Sequence, residues 1–259
     1  MSASMLWIDQ LDYLIPEITL KTIDNCTFIV VKVTKIPETG GNALIAVKDE
    51  QDRIMWSWHL WAYPFTLTTK RYTNTNGYSY DLLDVNLGWV KDDLNSKYGT
   101  CTTYQWGRKD PMLRGDSQGV NSNPVYQGTW TITTTATTVS FAIQNPNAFC
   151  KAPTNLDSWW RKNGSQVHFR NYWDAVKTDE TYTDIKPIKT VYDPCPVNFS
   201  VPNVNAFVGF TASSGGTWDK GYTWGGRYFS MTNRRERYTG NLGQSALYFT
   251  GLQKLNGSM

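Results

Sequence analysis

Ala43–Lys48 (ALIAVK), Asp49–Arg53 (DEQDR) and Ile54–Trp61 (IMWSWHLW) read as one β-hairpin, two apolar runs flanking a charged connection. Side chains alternate across a strand, so Trp56, Trp58 and Leu60 share one face and Met55, Ser57, His59 and Trp61 the other. Upstream, Cys26–Lys35 (CTFIVVKVTK) has the β-branched run of a strand buried on one or both faces, and Glu38-Thr-Gly-Gly-Asn42 is a turn signal. Residues 5 to about 62 are therefore expected to be a succession of strands. His59 reads as an ordinary strand residue.

After Tyr63 the texture changes to Thr, Asn, Tyr and Gly, and a boundary is expected near residues 62–66, at Ala62-Tyr63-Pro64. Val125–Ile143 contains a Thr-rich strand signal (TWTITTTATTVSFAI), because Thr favours extended backbone. Helical candidates are short: Asn171–Lys177 (NYWDAVK), and Val204–Phe210 (VNAFVGF) with Asn203 as its cap. Asp110–Pro124 is a long connection with little periodicity, of the kind that is often functional.

The bulk composition narrows the class. In 259 residues, 40% are hydrophobic and 18% charged, which describes a folded and rather uncharged protein. A net charge of +3 is too weak a bias to point to nucleic acid or an anionic membrane. Aromatic residues reach 14%, with 12 Trp and 15 Tyr, which suits β-rich cores and binding faces alike. The four cysteines, Cys26, Cys101, Cys150 and Cys195, show no CxxC or CxxH spacing, which argues against zinc, iron–sulfur and thioredoxin-like chemistry. Two disulfides in an oxidising compartment are compatible with an even count, and Cys150 with Cys195 is the pairing expected first. No apolar run approaches the ~18 residues of a membrane span. No signal peptide is read at Met1-Ser-Ala-Ser4, and the native N-terminus is expected upstream.

Gly41–Trp61 (GNALIAVKDEQDRIMWSWHLW) resembles the end of the β-sandwich that precedes a surface module in Bacteroidetes lipoproteins and fimbrillin-type proteins. Asn86-Leu-Gly88, Tyr104-Gln-Trp-Gly-Arg-Lys-Asp-Pro111 and Tyr192-Asp-Pro-Cys-Pro196 with Val201-Pro202 together resemble the Fibrobacter major paralogous domain family, which is similar in fold to C-type lectins. The resemblance covers roughly residues 41–259. Here Asp84-Val-Asn-Leu-Gly88 replaces the family's usual Asp-Arg before Asn-Leu-Gly, and the family's closing strands are not recognisable after Gly257, so the chain reads as truncated or divergent there. The resemblance implies an α+β, mostly β protein: a small β-sandwich part over 1–63, then a C-type-lectin-like domain with long loops over 64–259. It also implies a place on the cell surface or outer membrane, on a lipid-anchored protein or at a fimbrial tip.

Catalytic chemistry finds little to work with. A Ser or Cys nucleophile needs a His and an orienting acid, yet only His59 and His168 exist and no GxSxG elbow is present. Carboxylates such as Asp92, Asp93, Asp157 and Asp174 occur without a pattern that marks a glycosidase pair. Formylglycine-generating oxidases share the lectin-like fold but need a reactive thiol pair near the C-terminal end, which nothing after Cys195 supplies. Asn145-Pro-Asn147 and Val201-Pro-Asn203 look superficially like calcium loops but bring no nearby pair of acids, so both read as turns. No catalytic residue, metal ligand or cofactor is therefore assigned.

The candidate ligand-binding residues are aromatic. Trp159 and Trp160 are adjacent, so on a strand they cannot both point inward; Trp218, Tyr222, Trp224 and Tyr228 lie in a Gly-rich stretch beside Arg234, Arg235 and Arg237. Core and surface placement are equally compatible with these rings. The expected function is a non-enzymatic surface adhesin binding a glycan or a host protein. The alternatives are a structural pilus or lipoprotein subunit that assembles with other subunits and, last, an enzyme on the same fold.

Overall fold

The computed structural model describes residues 1–9, 17–33, 40–89, 102–105, 107–112, 127–128, 131–132, 138–150, 172–175, 186–208, 221–224, 227–230, 234–235 and 242–243. In chain order the strands are β1 (Ser2–Ile8), β2 (Glu17–Ile23), β3 (Cys26–Lys32), β4 (Gly41–Lys48), β5 (Ile54–Ala62), β6 (Thr69–Thr73) and β7 (Ser79–Leu83). Shorter ones follow: β8 (Thr103–Tyr104), β9 (Pro111–Met112), β10 (Gln127–Gly128), β11 (Thr131–Ile132), β12 (Ala148–Phe149), β13 (Gly221–Trp224), β14 (Arg227–Ser230), β15 (Arg234–Arg235) and β16 (Leu242–Gly243). A single α-helix, α1 (Val139–Gln144), and a 3-10 turn (Val204–Phe207) complete the described elements. The class is the mostly β, α+β one that the sequence implies.

The principal sheet has the order β10-β1-β4-β5, and every pairing in it is antiparallel. Its central strand, β4, is buried without interruption from Gly41 to Ala46, which explains why its apolar run does not alternate. Leu44 packs against Trp7, and Ala43 against Ile8 with Leu60 and Met5 around them. The expected β4–β5 hairpin forms with Val47 opposite Trp56 and Leu44 opposite His59. Asp49 organises its connection, its carboxylate accepting from the backbone N–H groups of Gln51 and Arg53 and from the Arg53 side chain.

The expected boundary near residue 63 is crossed by the sheet itself: Gln127 and Gly128 pair with Ile8 and Trp7. A second tie links the β6–β7 turn to the 3-10 turn, where the buried Asn74 amide donates to the Asn205 carbonyl at 2.7 Å.

Three local expectations are corrected. Within the Thr-rich stretch, Val139–Gln144 is helix, because the Thr138 hydroxyl accepts from Phe141 N–H at 3.1 Å and so starts a helix where propensity favours a strand. The described part of Asn171–Lys177, residues 172–175, is a turn and a β-bridge from Asp174 to Lys189, with Trp173 buried. Cys150 and Cys195 are both free thiols rather than a disulfide. Asn203 does cap its turn, its side chain accepting from Ala206 N–H, although that turn ends at Phe207.

Gly88 decides where the Asn-Leu-Gly motif sits. Its φ of +74° is costly for any side chain, and a Cβ there would lie 2.1 Å from Thr102 Oγ1. Gly88→Ala should therefore lower stability by at least roughly 1–3 kcal/mol from the backbone alone. Adding Thr102→Ala should recover part of the loss but not all of it; denaturant titration of the two variants checks this.

Candidate functional site

The motif Tyr104–Pro111 is the hub of the described structure, and β5 is where it docks. Lys109 Nζ donates to Asp110 Oδ1 at 2.6 Å, to Ser57 Oγ at 2.5 Å and to the Ser57 carbonyl at 2.9 Å. It also lies 4.5 Å from the centroid of the Trp56 ring. The Ser57 hydroxyl in turn donates to Asp110 Oδ1 at 2.8 Å. Ser57, Lys109 and Asp110 are 2%, 8% and 1% exposed, so the charges are enclosed and must satisfy one another. Burial pushes the Lys109 amine below the usual lysine range, and Asp110 opposes that shift. An amine beside a serine hydroxyl has the outline of a nucleophile and its base. Here the hydroxyl proton is committed to Asp110, and at 2% exposure the oxygen offers no approach to a substrate carbonyl.

The neighbouring motif residues are equally committed. Gln105 pairs with the Cys150 backbone in both directions, Nε2 donating to its carbonyl at 2.8 Å and Oε1 accepting its N–H at 3.0 Å. Arg108, 2% exposed, donates to the carbonyls of Asn145 at 2.6 Å and of Ala148, and so holds the C-terminal end of α1 with a cation. The Arg108 carbonyl accepts from Trp173 Nε1 at 3.0 Å. Between α1 and the rings of Tyr172 and Tyr192 is a recess with room for about one water molecule.

A second chain of polar contacts runs from Asp9 to Tyr104. The Asn42 Nδ2 donates to Asp9 Oδ2 at 2.9 Å and to the Gly88 carbonyl at 3.0 Å, two groups that accept. Asn42 Oδ1 is thereby turned towards His59 Nε2 at 2.9 Å, so Nε2 carries the imidazole proton. Nδ1 is left to accept from the Tyr104 hydroxyl at 2.8 Å. Desolvation pushes His59 down to about 3, which keeps it neutral.

Tyr192-Asp-Pro-Cys-Pro196 is built around Asp193, whose carboxylate accepts from Cys195 N–H at 2.8 Å, Val201 N–H at 2.9 Å and Lys189 Nζ at 2.9 Å. Burial and the Asp193 charge raise the Cys195 thiol well above its ordinary range, so it is a poor nucleophile. Tyr192 joins this loop to β5 through Trp56, at 5.7 Å between ring centroids. The Tyr104–Pro111 and Tyr192–Pro196 motifs thus attach to β5, while Gly88 is held by Asn42 of β4.

Among the described residues, an aromatic cluster at the end of β5 is partly open to solvent. Tyr63 is its hub, with ring centroids 5.3 Å from Trp61, 5.7 Å from Phe65 and 5.7 Å from Trp89. Trp61 is fixed by its Nε1 donating to the Trp89 carbonyl at 2.8 Å. Phe65 is 63% exposed. Partial burial and the Asp84 charge push the Tyr63 hydroxyl up, so it stays protonated as a donor. A fixed, half-open set of rings suits flat apolar faces such as the C–H faces of sugars.

Of the residues singled out from sequence, Trp159, Trp160 and Trp218 lie outside the described residues. Tyr222 and Trp224 fall on β13 and Tyr228 on β14; the register sets Tyr222 opposite Phe229, Thr223 opposite Tyr228 and Trp224 opposite Arg227. Their side chains lie outside the described part. Asn145-Pro-Asn147 is a turn, as expected, with Asn145 capping α1. Among the described residues no group of three His, Cys, Asp or Glu side chains is placed to hold a metal ion.

Sequence reasoning missed two polar networks, one through Asn42 and His59 and one through Lys109 and Asp110, and missed the Trp61–Tyr63–Phe65 cluster. The cluster did leave a signal, three aromatics at every second position from Trp61 to Phe65. Comparison with protein-family models, with curated proteins and with solved structures finds no match for this chain.

Two predictions follow from the buried groups. Asp110→Asn leaves the Lys109 charge without its counter-ion and should cost roughly 3–5 kcal/mol, whereas Lys109→Met with Asp110→Leu should cost much less. A double-mutant cycle by urea denaturation checks both. His59 is pushed down from 6.5 to about 3 on folding, so between those values the unfolded chain binds more protons. Its contribution is complete above pH 6.5 and lost as pH falls towards 3. Melting temperatures over that range should fall more steeply for wild type than for His59→Gln; equal slopes would refute the assignment.

Proposed function

We propose that this chain is a non-enzymatic, extracytoplasmic ligand-binding protein of the bacterial surface, a C-type-lectin-like adhesin whose ligand is a glycan. The observation that carries the reading is the half-open ring cluster around Tyr63, with Phe65 63% exposed and Trp61 held by the Trp89 carbonyl. Rings fixed before binding lose little conformational entropy when a ligand stacks on them.

The chemistry of the motifs supports the same reading from the other side. Among the described residues, Ser57, His59, Arg108, Lys109, Asp110 and Asp193, groups a catalyst could use, are spent on holding one another and the backbone. The Asn86–Gly88, Tyr104–Pro111 and Tyr192–Pro196 motifs, which resemble those of the Fibrobacter major paralogous domain family, are scaffolding that carries loops on its surface. In this family resemblance lies the placement on a lipid-anchored surface protein or at a fimbrial tip. Among the described residues no helix is long and apolar enough to cross a membrane.

A glycan array probed with the purified chain, with calcium and again with EDTA, tests the proposal. Saturable, EDTA-resistant binding is expected. Phe65→Ala should weaken it about tenfold, the equivalent of one stacked ring. Trp58→Ala, at a ring 39% exposed on β5, should leave it unchanged. Silence across the array, or binding indifferent to Phe65→Ala, would sink the proposal.

A further inference from the structure

Cys26–Lys35 is expected to be a strand buried on one or both faces; its described part, β3, is a strand with Ile29 and Val31 half-buried on one face and no residue fully buried. The seven register pairs of the β2–β3 hairpin run without a bulge from Glu17–Lys32 to Ile23–Cys26, closed by Asp24 and Asn25 with φ of 49° and 62°, as a type I′ turn requires. Ile18, Leu20, Ile29 and Val31 form its half-buried face. On the opposite face Ile23, Phe28 and Val30 are 47%, 50% and 43% exposed, with Cys26 exposed between them. Among the described residues β3 pairs only with β2, so its other edge meets no strand.

Edge strands are ordinarily guarded by a charge, a proline or a bulge. Cys26–Val31 (CTFIVV) has no charge and no proline, and the ladder it forms with β2 is regular. We propose that this edge is an interface with a second copy of the same chain, β3 pairing antiparallel with β3 of the partner across a two-fold axis at Ile29. That register is self-complementary. It sets Phe28 beside Val30 of the second copy, an aromatic–β-branched pair made twice, with Thr27 beside Val31.

Charge selects the antiparallel arrangement. Lys32 is the sole charged residue of β3. A parallel pairing would set the two Lys32 side by side, and like charges directly opposite are destabilising. The antiparallel one carries them to opposite ends of the ladder, each beside Cys26 and within a long side chain's reach of Asp24 in the other copy. The interface uses neither the Tyr63 cluster nor the motif hub, so it is independent of the ligand proposal.

Analytical ultracentrifugation of the 259-residue chain over a range of concentrations tests this, together with Phe28→Lys and Lys32→Cys. A concentration-dependent dimer is expected, and Phe28→Lys should shift it to monomer while leaving the circular dichroism unchanged, since position 28 is half exposed. Lys32→Cys faces Cys26 of the second copy across the ladder, within disulfide reach, and should give a covalent dimer under copper–phenanthroline oxidation. Adding Cys26→Ser to Lys32→Cys should abolish it. A chain that stays monomeric at every concentration overturns the proposal. So does a dimer that is indifferent to Phe28→Lys and fails to cross-link, or a monomer that instead takes up an added strand peptide along β3.

Discussion

A buried lysine that cannot leave its carboxylate sets the frame of this protein. Lys109 and Asp110 are neighbours in sequence, and both turn to one serine on β5, with Nζ, Ser57 Oγ and Asp110 Oδ1 in mutual contact. The cost of desolvating two charges is offset only by tight geometry, so the loop that bears them has one place to sit. With that loop fixed, Arg108 reaches the C-terminal carbonyls of α1, Gln105 takes the backbone of Cys150, and Tyr104 meets His59. A short run of chain thereby orders a helix, a strand end and a histidine tautomer.

The same strand receives the Tyr192 motif and the residue after Gly88 by different means. Trp61 donates to the Trp89 carbonyl next to Gly88, and Trp56 packs on Tyr192. Polar and aromatic contacts thus alternate along β5, and the long connections between them are tied at their ends. Among the described residues, connections are held by specific side chains rather than by periodic backbone structure.

This explains what was legible in the sequence. The β4–β5 hairpin and the mostly β class could be read because they rest on local pattern: apolar runs, a charged connection and β-branched residues. The Asn203 cap was legible for the same reason. The burial of β3 was not, since a β-branched run reports strand propensity and is silent on whether anything covers it. α1 was hidden by Thr residues whose propensity favours strands, although Thr138 serves as a cap. The His59 network was hidden more deeply. Its links join Asp9 to Asn42, Asn42 to His59 and His59 to Tyr104, residues 33, 17 and 45 positions apart, and no local pattern marks contacts made at such distances.

The aromatic excess divides along the same line. Trp7 and Trp173 are 1% and 2% exposed and are core, whereas Phe65 at 63% and Phe28 at 50% are not. Phe65 stands on a fixed base of neighbouring rings, a rigid shape suited to a ligand smaller than itself in extent. Phe28 stands on a regular strand edge, where backbone donors and acceptors recur at a fixed spacing and only another strand can match them. The backbone beneath each ring therefore distinguishes the two proposed surfaces: an irregular corner at Phe65, proposed for recognition, and a straight ladder at Phe28, proposed for assembly.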